Sequence, residues 1–161
     1  METVEPLTIS AATAADRDAV VRLWTCAKLT VPHNDPGEDF DFAVGRESSD
    51  VLVGVSEGRI VASVLVGHDG HRGWLYYVAV HPDYQRRGYG AAIVAAGERW
   101  LSNRQVRKVM LLVRDTNAAV LSFYERLQYE AAARVVMQKW LAPPRPGDHR
   151  GQDRKPAEKP S

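Results

Sequence analysis

The sequence predicts an α/β domain of the α+β kind, with a mixed, mostly antiparallel central sheet and helices on both faces. Three observations carry that expectation. A β-branched hairpin pattern fills residues 51–66, a strand apolar on both faces follows at residues 74–80, and a strand–loop–helix–strand succession runs on to residue 113. Hairpin strands pair antiparallel, whereas a strand–helix–strand crossover returns a parallel neighbour.

Composition sets the frame. The chain has 161 residues, 45% hydrophobic and 25% charged, enough for one globular domain with a sizeable core, expected over residues 1–142. Its 21 Lys and Arg face 20 Asp and Glu. Residues 143–161 hold five basic and three acidic side chains, leaving +2 there and −1 over the rest of a net +1. A nearly neutral domain lacks the basic surface of a nucleic-acid binder. The single Cys26 excludes an intramolecular disulfide, and no apolar run is long enough for a signal peptide or a membrane span. The expectation is cytoplasmic residence with no membrane partner.

Residues 7–10 suggest a short first strand. Thr13 with Asp16 three residues later forms a capping-box pattern, and Val20, Leu23, Trp24 and Ala27 follow at helical spacing, so a helix is expected from about 16 to 28. Cys26 falls in it as an ordinary helix residue, with no histidine nearby in sequence to activate it. Residues 31–37 carry two prolines and a glycine, which forbid a regular element and make a loop into a second short helix. His33, Asn34 and Asp35 in that loop form either a plain turn or a cover over a site.

Strands at residues 51–56 and 60–66 are separated by Glu57-Gly58-Arg59, with Gly58 expected to take the positive φ of a hairpin turn. Residues 67–73 link them to the next strand through His68, Asp69, His71 and Arg72. Two histidines and one carboxylate so close together make a strained metal set, and no metal is expected; a polar turn or a substrate-facing loop remains. On the 74–80 strand, alternation places Trp74, Tyr76, Val78 and Val80 on one face and Leu75, Tyr77 and Ala79 on the other.

After Pro82 comes a basic glycine-bearing loop, then a helix with Ile93, Ala96, Gly97, Trp100 and Leu101 on one stripe. That order brings Arg86 and Arg87 beside a helix N-terminus with its unsatisfied amides and positive dipole end, a combination suited to phosphate. Residues 109–113 read as a buried parallel strand. Asp115 or Thr116 is the expected cap of a helix whose inner face carries Val120, Phe123, Tyr124 and Leu127, and residues 133–141 read as a last strand. Residues 143–161, rich in Pro, Gly and charge, read as a disordered polar tail. A P-loop is excluded because no Gly-Lys-Ser/Thr follows, and a dinucleotide fingerprint is disfavoured because Ile93 holds the place of its third glycine.

Two blocks carry a resemblance. Gln85-Arg86-Arg87-Gly88-Tyr89-Gly90-Ala91 resembles the Q/R-x-x-G-x-G/A acyl-CoA signature of the GNAT superfamily of N-acetyltransferases. Asn117 to Leu127 resembles that family's N-x-x-A/V-x-x-F/L-Y-x-K/R segment, with Gln128 where a glycine is usual. The likeness spans residues 7–141, and Asn34-Asp35-Pro36, the 67–73 loop and the Tyr76-Tyr77 pair are similar to the bacterial YpeA-type branch.

The resemblance implies a GNAT fold with a parallel strand pair at the acyl-CoA site. It further implies transfer of acetyl from acetyl-CoA, as cosubstrate, to a primary amine of an unidentified acceptor by direct attack in a ternary complex. On this reading Val78, Ala79 and Val80 hold the pantetheine and polarise the thioester. Gln85, Arg86, Arg87, Gly88, Tyr89, Gly90 and Ala91 take the pyrophosphate, Asn117 meets the pantetheine arm, and Tyr124 is the general acid. No base carries over, so Asp69 and His71 rank first, ahead of Tyr76 and the more remote Asp35; Asn34, Asp35, Asp69, His71, Arg72 and Tyr76 are expected around the acceptor. Acetylation of a protein N-terminus, of the ribosomal-protein type, and a non-catalytic acyl-CoA sensor are the alternatives. The acceptor is a small molecule or peptide, and a homodimer is open.

Overall fold

The computed structural model describes residues 3–143. Five strands stand side by side in chain order: β1 (Thr8–Ala11), β2 (Ser49–Ser56), β3 (Arg59–His68), β4 (Gly73–Val80) and β5 (Val109–Met110). The first four pair antiparallel and β4 pairs with β5 in parallel, as the crossover predicts. Helices α1 (Arg17–Cys26) and α2 (Pro36–Ala43) pack on one face, α3 (Tyr89–Ser102) and α4 (Ala118–Arg126) on the other.

The local signals act as expected, with shifted boundaries. The Asp16 carboxylate accepts from the Thr13 N–H at 2.8 Å, and a 3-10 turn over Ala14–Asp16 takes the residues expected to open α1. Val20, Leu23 and Trp24 are its buried stripe. α2 begins earlier than the sequence suggested, because Asp35 caps it by accepting from the Glu38 N–H at 3.1 Å and Pro36 stands in the first turn. Between β2 and β3 both Glu57 (φ 51°) and Gly58 (φ 71°) are left-handed, the geometry of a two-residue hairpin turn. On α3, Ile93, Ala96, Gly97, Trp100 and Leu101 are all buried. Gly97 is required there: a Cβ would lie 2.9 Å from Leu75 Cδ2, so helix and sheet touch directly.

Three expectations fail, and two failures share a cause. Simple alternation along β4 does not hold. Ser63 lies opposite Ala79 but Leu65 opposite Tyr76, so β4 carries one extra residue, a bulge at Tyr77 with φ 48°. Leu75, Val78 and Val80 therefore share the α3 side, while Tyr77 and Ala79 join the α1–α2 side. The strand expected over residues 109–113 shrinks to Val109–Met110, paired only with Gly73 and Trp74, because the bulge turns β4 away beyond that point. Finally, residues 133–141 form no strand. A two-residue β5 offers too short an edge to pair, and Val135, Val136, Met137, Trp140 and Leu141 stay exposed. Of the expected α4 stripe only Tyr124 is buried. Residues 144–161, and most of the expected tail with them, lie outside the described residues.

Candidate active site

The loop between β4 and α3 is shaped to receive an anion. A 3-10 turn (Pro82–Tyr84) leads to Arg86 at φ 61° and Gly88 at φ 80°, and α3 starts with Gly88 at its N-cap. No side chain caps α3 and its first turn holds no acidic residue, which leaves N–H groups and the positive dipole end facing outward. The two arginines do not converge as expected. Arg87 lies 4.8 Å over the Tyr84 ring and 4.0 Å from Glu57 Oε1, whereas Arg86 is exposed with no ion pair among the described residues. Tyr89 offers only its backbone, because its buried hydroxyl donates to the Glu5 carbonyl at 2.6 Å and sits 3.0 Å from Ser56 Oγ. Gln85 is exposed, and Gly90 lets Phe123 close in: a Cβ there would lie 3.2 Å from Phe123 Cζ.

From this loop a cleft runs along β4. Where β5 ends, the edge of β4 over residues 75–80 that faces away from β3 has no strand partner among the described residues. Tyr124, from α4, packs in the same cluster as Val78 and Val80. It is 9% exposed, and its hydroxyl makes no hydrogen bond among the described residues. Burial pushes its pKa up to about 12. A buried hydroxyl without a partner is uncommon in a folded protein. Asn117, rather than Asp115 or Thr116, caps α4, its Oδ1 accepting from the Val120 N–H at 3.2 Å.

A cavity of about 860 Å³ opens between the α1–α2 loop, the β3–β4 hairpin and the segment after β5. Asn34, Asp69 and Tyr76 line it, as expected; Asp35, His71 and Arg72 do not. Asp35 Oδ1 is spent on capping α2. Asp69 is the keystone of its turn: Oδ1 accepts from the N–H groups of His71 (2.9 Å) and Arg72 (2.7 Å), and Oδ2 from Trp74 Nε1 (3.2 Å). These donors hold its pKa down to about 2, led by the Arg72 and His71 amides. A carboxylate so stabilised is a weak base, which counts against the role it was given. His71 and Arg72 hold the turn, the latter donating to the His71 carbonyl at 3.2 Å.

The sequence reading missed two groupings. Tyr77 at the bulge stacks on Trp24 (3.9 Å, 11°), and its hydroxyl donates to Asp39 Oδ2 at 2.6 Å. Ser63, fully buried, accepts from Trp24 Nε1 at 2.8 Å and donates to the Tyr77 carbonyl at 3.4 Å. Residues from α1, α2 and β3 thus clamp one strained residue, and the sequence gives no pattern for partners 14 to 53 positions apart. The second is Cys26, whose Sγ lies 3.7 Å from His81 Nε2. His81 Nδ1 accepts from the Asp83 N–H at 3.1 Å, so in the neutral ring Nε2 carries the proton and donates to sulfur. The imidazole is oriented to hold the thiol, not to deprotonate it.

Residues 17–129 match the Acetyltransferase (GNAT) family model. An acetyltransferase of Pectobacterium atrosepticum is 40% identical over 126 residues, covering 78% of this chain and 89% of its own. The ribosomal-protein-S18-alanine N-acetyltransferase of Escherichia coli superposes with a TM-score of 0.69 at 28% identity, covering 79% of each chain. AAC(6')-Iy in complex with a bisubstrate analog of CoA and acetylneamine shares the fold, with a TM-score of 0.73 at 16% identity over 85% of this chain and 99% of its own.

Proposed function

The chain belongs to the acetyltransferase (GNAT) family, and from that membership we propose that it transfers an acetyl group from acetyl-CoA to a primary amine by direct attack in a ternary complex. The parting of β4 from β5 beside the uncapped start of α3 carries the reading, since it sets unpaired backbone groups next to an anion cradle. The pyrophosphate lies on the loop amides from Gln85 to Ala91, with Arg86 as its cation. The pantetheine arm follows the free edge of β4, with Asn117 beside it. N–H groups of the 78–80 segment hold the thioester carbonyl and stabilise the charge that grows on its oxygen during attack.

Tyr124 donates to the departing sulfur. With a pKa near 12 it is a weaker acid than a thiol of about 8.5. It acts first as a hydrogen-bond donor to the growing thiolate, and the proton released by the attacking nitrogen restores the balance. An alkylammonium of pKa near about 10 must lose a proton before attack. Asp69, with its pKa near 2, is unsuited to take it, and the proton passes to water at the cavity mouth. A protein N-terminus is a second acceptor class, favoured by the 28% identity to the ribosomal-protein enzyme.

The test is amine-dependent thiol release from acetyl-CoA. Tyr124→Phe lowers kcat about 10²–10⁴-fold with acetyl-CoA affinity retained, and kcat/KM for the amine rises with pH from 7 towards 9. Absence of any melting-temperature shift with acetyl-CoA or CoA refutes the reading outright.

A further inference from the structure

We propose that Asp39 is the anchor for the acceptor's ammonium group and that the acceptor is a primary monoamine on an apolar or aromatic body; the inference rests on the acetyl-transfer reading above. Three charged side chains line the cavity, Asp39, Asp69 and Arg114. Both oxygens of Asp69 are occupied by its own turn. Asp39 uses Oδ2 for the Tyr77 hydroxyl, while Oδ1 accepts no hydrogen bond among the described residues. Among the described residues it is therefore the lining carboxylate with an oxygen that no donor engages. It is also tied by a 2.6 Å bond to the hydroxyl of Tyr77, the bulge residue that precedes the segment assigned to the thioester.

The walls specify what the ammonium is attached to. Outside residues 133–141, the exposed large hydrophobics among the described residues are Val4, Phe42, Tyr76 and Leu112, and the last three all line this cavity. Tyr76 stacks with Trp74 (6.3 Å, 18°), giving a flat aromatic wall. Apolar surface left open around a cavity marks a ligand groove. Among the described residues the lining charge suits a single cation, since two carboxylates against one guanidinium leave one net negative charge. A polyamine or aminoglycoside would bring further cations to apolar walls, where desolvation without a partner is costly.

The experiment measures thiol release from acetyl-CoA with phenethylamine, ethanolamine and spermidine as probes, using the full chain. Phenethylamine is expected to exceed ethanolamine in kcat/KM by about 10–100-fold, the size of one buried apolar group, and to exceed spermidine. In Asp39→Asn, which keeps an acceptor for Tyr77, KM for phenethylamine rises tenfold or more, well beyond any change in KM for acetyl-CoA, and thermal melting checks that the variant is folded. Phe42→Ser, at a site 83% exposed, narrows the preference for phenethylamine over ethanolamine, and serves should Asp39→Asn fold poorly. Equal use of ethanolamine, preference for spermidine, or a change in Asp39→Asn that falls equally on both substrates overturns the proposal. If no probe is acetylated although acetyl-CoA still raises the melting temperature, the acceptor proposal falls and the cofactor reading stands; if acetyl-CoA raises nothing, both fall.

Discussion

Ser63→Ala tests whether the bulge is held by the clamp around it. The hydroxyl is fully buried, accepts from Trp24 Nε1 at 2.8 Å and donates to the Tyr77 carbonyl at 3.4 Å. Removing it strands a buried indole N–H, at a cost of about 1–3 kcal/mol, and the longer, weaker bond to the carbonyl adds about 0.5–1 kcal/mol. The loss of about 2–4 kcal/mol is a large share of the ~5–15 kcal/mol that holds a domain together. At about 2–4 °C per kcal/mol for a chain of this size, the melting temperature falls by roughly 4–16 °C. Because Tyr77 holds φ 48° only while its surroundings insist on it, KM for acetyl-CoA also rises.

The assay is urea unfolding and thermal melting of Ser63→Ala, Trp24→Phe and the double variant. In the Trp24→Phe background no indole N–H remains to be stranded, so the serine loss costs only the weaker bond, and the cycle shows a coupling of about 1–2 kcal/mol. Trp24→Phe keeps an aromatic face against Tyr77, which preserves the 3.9 Å stacking contact. A Ser63→Ala cost below about 0.5 kcal/mol, or costs that add within about 0.3–0.5 kcal/mol, refutes the reasoning, because neither is compatible with a buried donor losing its acceptor.

Asp69→Asn carries a pH signature. The folded pKa of about 2 lies below the ordinary 3.8, so the charged form stabilises the fold: the gap in melting temperature between the parent and the variant is full at pH 7, persists down to about 4, and closes as pH falls towards 2. A gap that widens on acidification contradicts the hydrogen-bonded turn. Gln128 sits left-handed at φ 69° after α4, where Tyr129 N–H donates to the Tyr124 carbonyl at 3.0 Å and closes the helix. Gln128→Gly relieves about 1 kcal/mol of strain against a small entropic loss, and is expected to gain about 0.5–1 kcal/mol, or roughly 1–4 °C, in urea and thermal unfolding.

How far the sequence could be read depends on the distance over which each feature is written. Caps, hairpin turn and buried helical stripes are local: Asp16 three residues from Thr13, Gly58 in a two-residue turn and Ile93 to Leu101 on one stripe all emerged as spacing implied. The glycine-bearing loop opening α3 was legible for the same reason, since Gly88 and the start of the helix are neighbours in the chain. The bulge is written nonlocally. Nothing in Trp74 to Val80 separates a regular strand from a bulged one, because Tyr77 is apolar enough for either face. What decides the outcome is that Trp24, Asp39 and Ser63, on three other elements, offer a stacking face, a carboxylate and a hydroxyl at one spot. The β5 truncation follows from that choice, and so does the cleft.

Asp69 reads as functional in sequence and Asp39 does not, for the same physical reason. Asp69 sits in a loop crowded with His68, His71 and Arg72, and crowding of polar residues in sequence reads as chemistry. Folding turns that crowd inward on itself: His71 and Arg72 spend their amides on Asp69, and the carboxylate becomes a turn-former with lowered basicity. Asp39 stands between Glu38 and Phe40 on a short helix, where a charge usually marks the solvated face. Its part in the site comes from Tyr77, which the bulge swings onto the α1–α2 side of the sheet. The strain at Tyr77 and the free oxygen on Asp39 are thus two ends of one arrangement, so a perturbation that relaxes the bulge is expected to alter amine binding as well as acetyl-CoA binding. Ser63→Ala should therefore shift both Michaelis constants to similar extents, whereas Asp39→Asn shifts mainly that for the amine.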